Sequence, residues 1–501
     1  MIEFLLNGKV IRSEASPGEV VLDVVRRDVG LKGTKEGCRE GDCGACMVLL
    51  GTPGERGVEY YAINSCLLPV GTVAGKHVVS IEGLNGPGLT PVQQAIVDEG
   101  ATQCGFCTPG FVIALTGFLL GDMPLDPDSG YTAVSGNMCR CTGYLSIRRV
   151  VKKLCAAFAG TGNSPAARLE AMISSGVVPA YFETVPRLLA GMSGETPVCG
   201  VAGPPGDALP RQELDAGSSP PPEMDDTGGQ ADPGNAILIA GGTDLIVQRP
   251  EEVSEARLVL LERREDLRGI RIEAKDCWIG AATPVEEITR SEMLQELFPG
   301  TDPHIELISS VAIRHRATVG GNLVNASPIG DMAILLLALN VDVILCAGEQ
   351  RRSVPLKEFF TGYKQLNREP DELVEAVRFK RPSGGSLFNF EKVSRRKHLD
   401  IASVNSAMMI TVEHDVVRDV HMSAGGVAPI PFYLASAAES LRGQTLSAES
   451  IRRAADEACS AIAPISDVRG SGEYKRVLLG RLVRAHFIEL FPGRFGEELL
   501  S

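Results

Sequence analysis

Cys38, Cys43 and Cys46 stand as Cys-x4-Cys-x2-Cys, and Cys66 follows after nineteen intervening residues. No other feature constrains the fold so tightly. Four sulfurs that share one inorganic centre must converge on a small volume, with three of them supplied by a single loop that turns at every step. Gly37, Gly41 and Gly44 are interleaved with these cysteines. Residues free to adopt positive φ let backbone N–H groups turn toward sulfur.

The spacing is that of the thiolates around a plant-type 2Fe-2S cluster. The flanks predict a matching scaffold. Ile2-Glu3-Phe4-Leu5-Leu6, the turn pair Asn7-Gly8 and Val10-Ile11 read as a hairpin. Pro17-Gly18 leads into a helix of about twelve residues that ends near Gly30. Hairpin, helix and cysteine loop together make the small β-grasp arrangement of ferredoxins. Structural or disulfide cysteines are the alternative. Thirteen cysteines without a signal peptide point instead to a reducing compartment, the cytoplasm, and to metal ligation.

A second group follows as Cys104-Gly105-Phe106-Cys107 and Cys139-Arg140-Cys141. Two thiols one residue apart cannot easily bond to each other, but both can reach one metal centre. Helices are expected at 92–99 after Thr90-Pro91, at 108–120 after Thr108-Pro109, and at 145–158. The cysteines thus fall at helix starts, where partial positive charge favours anionic thiolates. A four-cysteine zinc site is the alternative, although two CxxC knuckles would be expected there and the CxC half departs from that pattern.

Three stretches together carry a family resemblance: Glu36-Gly37-Cys38-Arg39-Glu40-Gly41-Asp42-Cys43-Gly44-Ala45-Cys46, Gln103-Cys104-Gly105-Phe106-Cys107-Thr108-Pro109-Gly110, and Asn137-Met138-Cys139-Arg140-Cys141-Thr142-Gly143-Tyr144. They closely resemble the iron-sulfur part of molybdenum hydroxylases of the xanthine dehydrogenase family. The resemblance implies that both groups hold 2Fe-2S clusters, the first in a β-grasp domain and the second in a helical one. It also implies that all eight cysteines, Cys38, Cys43, Cys46, Cys66, Cys104, Cys107, Cys139 and Cys141, are ligands.

At 501 residues the chain has room for about three domains. The net charge of −14 argues against binding a phosphate backbone, and Arg395-Arg396-Lys397, the densest basic run, reads as a solvated or flavin-adjacent loop. The longest apolar run, 332–339, is far short of the roughly twenty residues that span a bilayer. Cys155, Cys199, Cys277, Cys346 and Cys459 are scattered and read as buried free thiols. Residues 193–235, rich in Gly, Pro and acid, cannot build a core and read as an exposed insertion.

Beyond the insertion, the apolar strand Ala236-Ile237-Leu238-Ile239-Ala240 runs into Gly241-Gly242-Thr243-Asp244, and a second glycine pair lies in Thr318-Val319-Gly320-Gly321-Asn322. Such turns let a ligand's phosphates approach the backbone, though they also close ordinary strands. Both segments resemble the flavin domain of the same family, as do 313–318, 390–396 with 400–402, and 464–469. Carried over by motif, the FAD contacts are Leu238, Ile239, Ala240, Gly241, Gly242, Thr243, Asp244 and Leu245, then Thr318, Val319, Gly320, Gly321 and Asn322, then Asp331 and Lys392. His315 departs from the family, which more often has Asn there. No G-x-G-x-x-G follows a strand, so a Rossmann site is not expected. Trp278 reads as a strand residue packed on the flavin domain's core.

The expected architecture is therefore multidomain α+β. It comprises a β-grasp 2Fe-2S ferredoxin domain (1–83), a helical 2Fe-2S domain (84–162), a connector (163–192), the insertion (193–235), a non-Rossmann α+β FAD-binding domain (236–382) and a C-terminal α+β subdomain (383–501). No catalytic residue is assigned to this chain. The resemblance implies the small iron-sulfur and FAD subunit of a two-chain, bacterial type of enzyme. Its partner would be a molybdopterin-binding large subunit in a heterodimer or a dimer of heterodimers, and NAD would be the acceptor in xanthine or hypoxanthine oxidation. Three alternatives stay open: an aldehyde or N-heterocycle substrate, a ferredoxin or quinone acceptor, or a non-catalytic electron-carrier module. No nucleic acid and no membrane span enter this reading.

Overall fold

The computed structural model describes residues 1–54, 57–162, 164–192, 236–300 and 302–500. The insertion expected at 193–235, with Cys199, lies outside the described residues. The chain divides into two compact units, one gathering 1–192, 236–260 and 310–316, the other 261–309 and 317–500.

In the first unit, Ile2–Leu6 pairs antiparallel with Lys9–Ser13 around Asn7 at φ 55, as the Asn-Gly pair predicts. The five-stranded sheet runs in the order Lys9–Ser13, Ile2–Leu6, His77–Val79, Met47–Gly54, Gly57–Asn64. The helix expected to reach Gly30 is shorter: one turn at Val21–Asp23 widens into a π-turn over Val24–Asp28. Val20, Val21, Val24 and Val25 are all buried there, and packing of these β-branched side chains outweighs regular helical hydrogen bonding.

The helices Pro91–Asp98, Thr108–Leu120, Pro127–Ala133 and Leu145–Ala157 follow. Thr90 and Gln93 form a reciprocal capping box at the first. Residues 110–120 of the second are apolar or small and buried on every side, which marks a core helix. Residues 164–192 do more than connect. They form the helices Pro165–Ser174 and Val185–Ala190, and Met172, Val178, Phe182 and Leu189 join the core of Leu49, Phe111 and Val150. The parallel strands Ala236–Ile239 and Arg257–Leu260 complete this unit. Ile239, Ile246, Val253 and Leu258 pack there with Leu22, Cys46, Cys66 and Leu67.

The second unit holds an antiparallel sheet in the order Gln350–Pro355, Asp342–Ala347, Leu373–Lys380, Asp276–Gly280, Ile270–Glu273. It also holds a four-stranded sheet, Ser386–Val393, Val404–Glu413, Val416–Gly425 and Phe432–Tyr433, with helices Ala435–Leu441, Ala448–Ser460 and Gly472–Leu490. Neither sheet is a parallel βαβ array, so the expected non-Rossmann α+β class holds. Trp278 is not a core residue: strand alternation buries Cys277 and Ile279, and Trp278 lies between the guanidinium groups of Arg271 and Arg378. Cys155 and Cys277 are buried as expected, whereas Cys346 and Cys459 are only half-buried. Among the described residues, no helix is long and apolar enough to cross a membrane.

Candidate cofactor sites

The first cysteine loop folds back on itself because its glycines leave room. A Cβ on Gly37 would lie 2.7 Å from Cys43 Sγ, and Gly41 and Gly44 take φ 78 and 67. Cys46 and Cys66 bring their sulfurs to 3.3 Å in a buried pair. Cys38 forms the other pair with Cys43 and accepts N–H bonds from Glu40 at 3.3 Å and Cys43 at 3.4 Å. The hydrogen bond from Cys43, helped by these backbone donors, pulls the Cys38 thiol down to about 5, while the same bond and burial push Cys43 up. In each pair one sulfur, Cys38 or Cys46, is held toward thiolate while its partner is raised. Asn64 Nδ2, 3.8 Å from Cys46 Sγ and 3.2 Å from the Gly41 carbonyl, braces the second pair.

The second group is also paired, Cys104 with Cys141 and Cys107 with Cys139. Cys107 caps the helix Thr108–Leu120, and Gly105 and Gly143 turn the two loops at φ 82 and 66. Burial pushes the Cys139 thiol up, but hydrogen bonds from the Thr142 hydroxyl at 3.1 Å and the Thr142 N–H at 3.4 Å outweigh it and leave the thiol lowered. Tyr144, at φ 69, accepts the Cys139 N–H on its hydroxyl at 3.0 Å.

Pairing separates the two metal readings. A zinc ion draws four sulfurs to one point at about 2.3 Å. Two sulfide-bridged irons take two thiolates each. Both groups offer their sulfurs as two pairs. The donors fit a binuclear cluster.

The two loops touch. The Met138 N–H donates to the Cys43 carbonyl at 3.0 Å, and Asn137 Nδ2 to the Gly44 carbonyl at 3.3 Å. Cys43 and Cys139 are therefore joined by one hydrogen bond and one peptide. Their surroundings differ: Cys46 and Cys66 are buried, whereas Cys104 and Cys141 are exposed beside Phe106, Met138, Tyr144 and Leu145, themselves 39 to 68% exposed.

Of the expected FAD residues, 238–245 lie in the first unit. The strand Ala236–Ile239 ends in Gly241 and Gly242, the latter at φ 73, and the Gly241 carbonyl accepts Arg316 Nη2 at 3.1 Å. In the second unit Thr318 Oγ1 accepts the Gly321 N–H at 3.1 Å. A Cβ on Gly320 would lie 2.7 Å from that of Ala281. Asn322 Oδ1 is buried without a hydrogen-bond partner, a place for a donor such as a ribityl hydroxyl. Asp331 and Lys392 are already partners: Lys392 Nζ bonds Asp331 Oδ2 at 2.7 Å and the Leu307 carbonyl at 2.8 Å, and Asn405 holds the other carboxylate oxygen. Burial pushes the Asp331 carboxyl up despite these donors. His315, where the family more often has Asn, stacks on Tyr61 with ring centroids 4.3 Å apart.

Four family descriptions match consecutive stretches: the 2Fe-2S iron-sulfur cluster binding domain over 4–71, the 2Fe-2S binding domain over 80–152, the FAD binding domain in molybdopterin dehydrogenase over 229–381, and the CO dehydrogenase flavoprotein C-terminal domain over 389–490. The chain belongs to the molybdenum hydroxylase family. Within that family it is an electron-transfer module with two 2Fe-2S domains and an FAD-binding domain. The chain is 26% identical to xanthine dehydrogenase/oxidase of Gallus gallus over 95% of its own length and 39% of that protein. It is 28% identical to xanthine dehydrogenase of Emericella nidulans over 88% of its own length and 35% of that protein. The chain thus spans little more than a third of these curated relatives. Among solved structures, reconstituted CO dehydrogenase from Oligotropha carboxidovorans shares 30% identity over 52% of this chain and 91% of that chain, with a TM-score of 0.49.

Asn64, Thr142 and Tyr144 were not singled out by sequence reasoning. Each stands within two or three residues of a cysteine, and a search for hydrogen-bond donors next to candidate ligands would find them.

Proposed function

We propose that this chain relays electrons from a molybdenum centre on a separate subunit to NAD in the oxidation of xanthine or hypoxanthine. Cys104, Cys107, Cys139 and Cys141 hold the entry cluster, and Cys38, Cys43, Cys46 and Cys66 hold the second. The residues assigned to FAD are 238–245 in the first unit and 318–322, Asp331 and Lys392 in the second. When bound, 2Fe-2S clusters take one electron each and FAD takes two, which lets one-electron transfers feed a hydride to NAD.

One observation carries the direction: the Cys104 and Cys141 loops are exposed within an apolar rim, while the Cys46 and Cys66 pair is buried and packs beside Ile239 and Ile246, the strand and helix flanking Gly241-Gly242. Electrons enter where a partner can dock. Met138 and Asn137 hold the loops together, shortening the step between clusters, and the surrounding core keeps water from the Cys46 and Cys66 side of the second. The xanthine dehydrogenase relatives support the purine as substrate.

The native complex should bleach its flavin on addition of xanthine, and NAD should restore the colour. Bleaching by an aldehyde or another N-heterocycle but not by xanthine would replace the purine reading. Bleaching reversed by ferredoxin or a quinone but not by NAD would replace the acceptor.

A further inference from the structure

Arg39 sits in the first cysteine loop at φ 59, a left-handed conformation that is strained for a residue with a Cβ. Glycine would take it freely. The side chain offsets that strain with three hydrogen bonds: Nη1 and Nη2 fork onto the Asp23 carboxylate at 3.0 and 2.5 Å, and Nε donates to Glu36 at 2.6 Å. Asp23 is itself buried, in the turn Val21–Asp23 whose neighbours Val21, Leu22, Val24 and Val25 belong to the core. Arg27 reaches the same carboxylate only at 3.5 Å and is largely exposed, so it adds little. The fork therefore fastens a half-exposed loop to the buried core of the domain.

The peptide after Arg39 supplies the Glu40 N–H that donates to Cys38 Sγ. Its direction follows from the Arg39 backbone angles. We infer that the Arg39–Asp23 fork is a positioning device that keeps N–H donors on Cys38 and so sets the reduction potential of the first cluster. This rests on the reading of Cys38, Cys43, Cys46 and Cys66 as its ligands. N–H groups on a ligating sulfur favour the more negative, reduced cluster, so their loss lowers the potential.

Asp23 makes the inference decidable, because its two possible roles have opposite signs. As a bare negative charge near the cluster, its removal would raise the potential. As the anchor of the fork, its removal lowers it. Arg39→Lys separates charge from geometry in the same way, since lysine keeps the charge but not the bidentate fork.

The test is a redox titration of the full holo-chain followed by electron paramagnetic resonance, with the cluster of Cys104, Cys107, Cys139 and Cys141 as internal reference. Asp23→Ala and Arg39→Lys should each lower the reduced-to-oxidised ratio of the first cluster about tenfold at the wild-type midpoint, equivalent to 59 mV for one electron. The double variant should go no further than either single one, and the reference cluster should not move. A rise in Asp23→Ala, a wild-type value in Arg39→Lys, or additive shifts would overturn the inference. If Asp23→Ala does not load its first cluster, Arg39→Lys carries the same expected fall and the same contrary result. Iron and sulfide analysis keeps the two readings apart: a wild-type chain short of two clusters defeats the ligand assignment, whereas a loaded wild type whose variants do not shift defeats only the fork.

Discussion

The eight cysteines differ in the company each sulfur keeps. Cys38 and Cys139 accept N–H and O–H bonds that hold them toward thiolate, and their pair partners Cys43 and Cys107 are raised. Cys139→Ser should remove one of two 2Fe-2S signals in electron paramagnetic resonance and halve the bound iron, leaving the other cluster intact; a chain that binds zinc at either group would contradict this. His77 supplies a pH-dependent case. It is buried between the Tyr60 hydroxyl at 2.8 Å and the Asn7 carbonyl at 2.7 Å, and burial pushes its imidazole down to about 4. Because the unfolded chain binds that proton near 6.5, stability is full above pH 6.5 and falls as pH drops toward 4, by about 3 kcal/mol over that window. Thermal unfolding of His77→Phe should show a shallower decline between pH 6.5 and 4 than the parent chain. The cysteines were legible because ligand spacing is a local property. The roles of His77 and Arg39 were not, because each depends on a partner that only the fold brings near.

Helix boundaries were legible wherever side-chain chemistry marks them. Thr90-Pro91 and Thr108-Pro109 start helices within a residue of expectation. Thr90→Ala removes half of the capping box and should cost about 1 kcal/mol in urea unfolding. Where packing opposes propensity, local pattern fails: the segment after Val20 yields a single turn and a π-turn, and residues 164–192 join the core. The helix Thr108–Leu120 shows how an element couples two sites. A Cβ on Gly110 would overlap the Gly44 carbonyl oxygen, which Asn137 also holds. Gly110→Ala should therefore destabilise the first unit by about 1–3 kcal/mol in thermal unfolding and alter the magnetic coupling between clusters. Unchanged coupling would show that the loops are not in contact through this glycine.

At the scale of the whole molecule, the two cysteine groups differ in exposure, and the proposed entry face follows from that difference. Phe106 and Leu145 stand exposed beside Cys104 and Cys141. Phe106→Glu with Leu145→Glu should abolish co-purification with the proposed molybdenum-bearing partner on size exclusion and leave both clusters and the flavin loaded. Retained co-purification would place the entry face elsewhere. Spacing and glycine placement along the chain were enough to mark the two cysteine groups and the glycine loops as candidate sites, because a metal centre and a close backbone approach impose their geometry over a few residues. How the sulfurs pair, which group is exposed, and the partnership of Lys392 with Asp331 and of Arg39 with Asp23 arise only when distant segments pack, because burial and electrostatic pairing depend on neighbours in space.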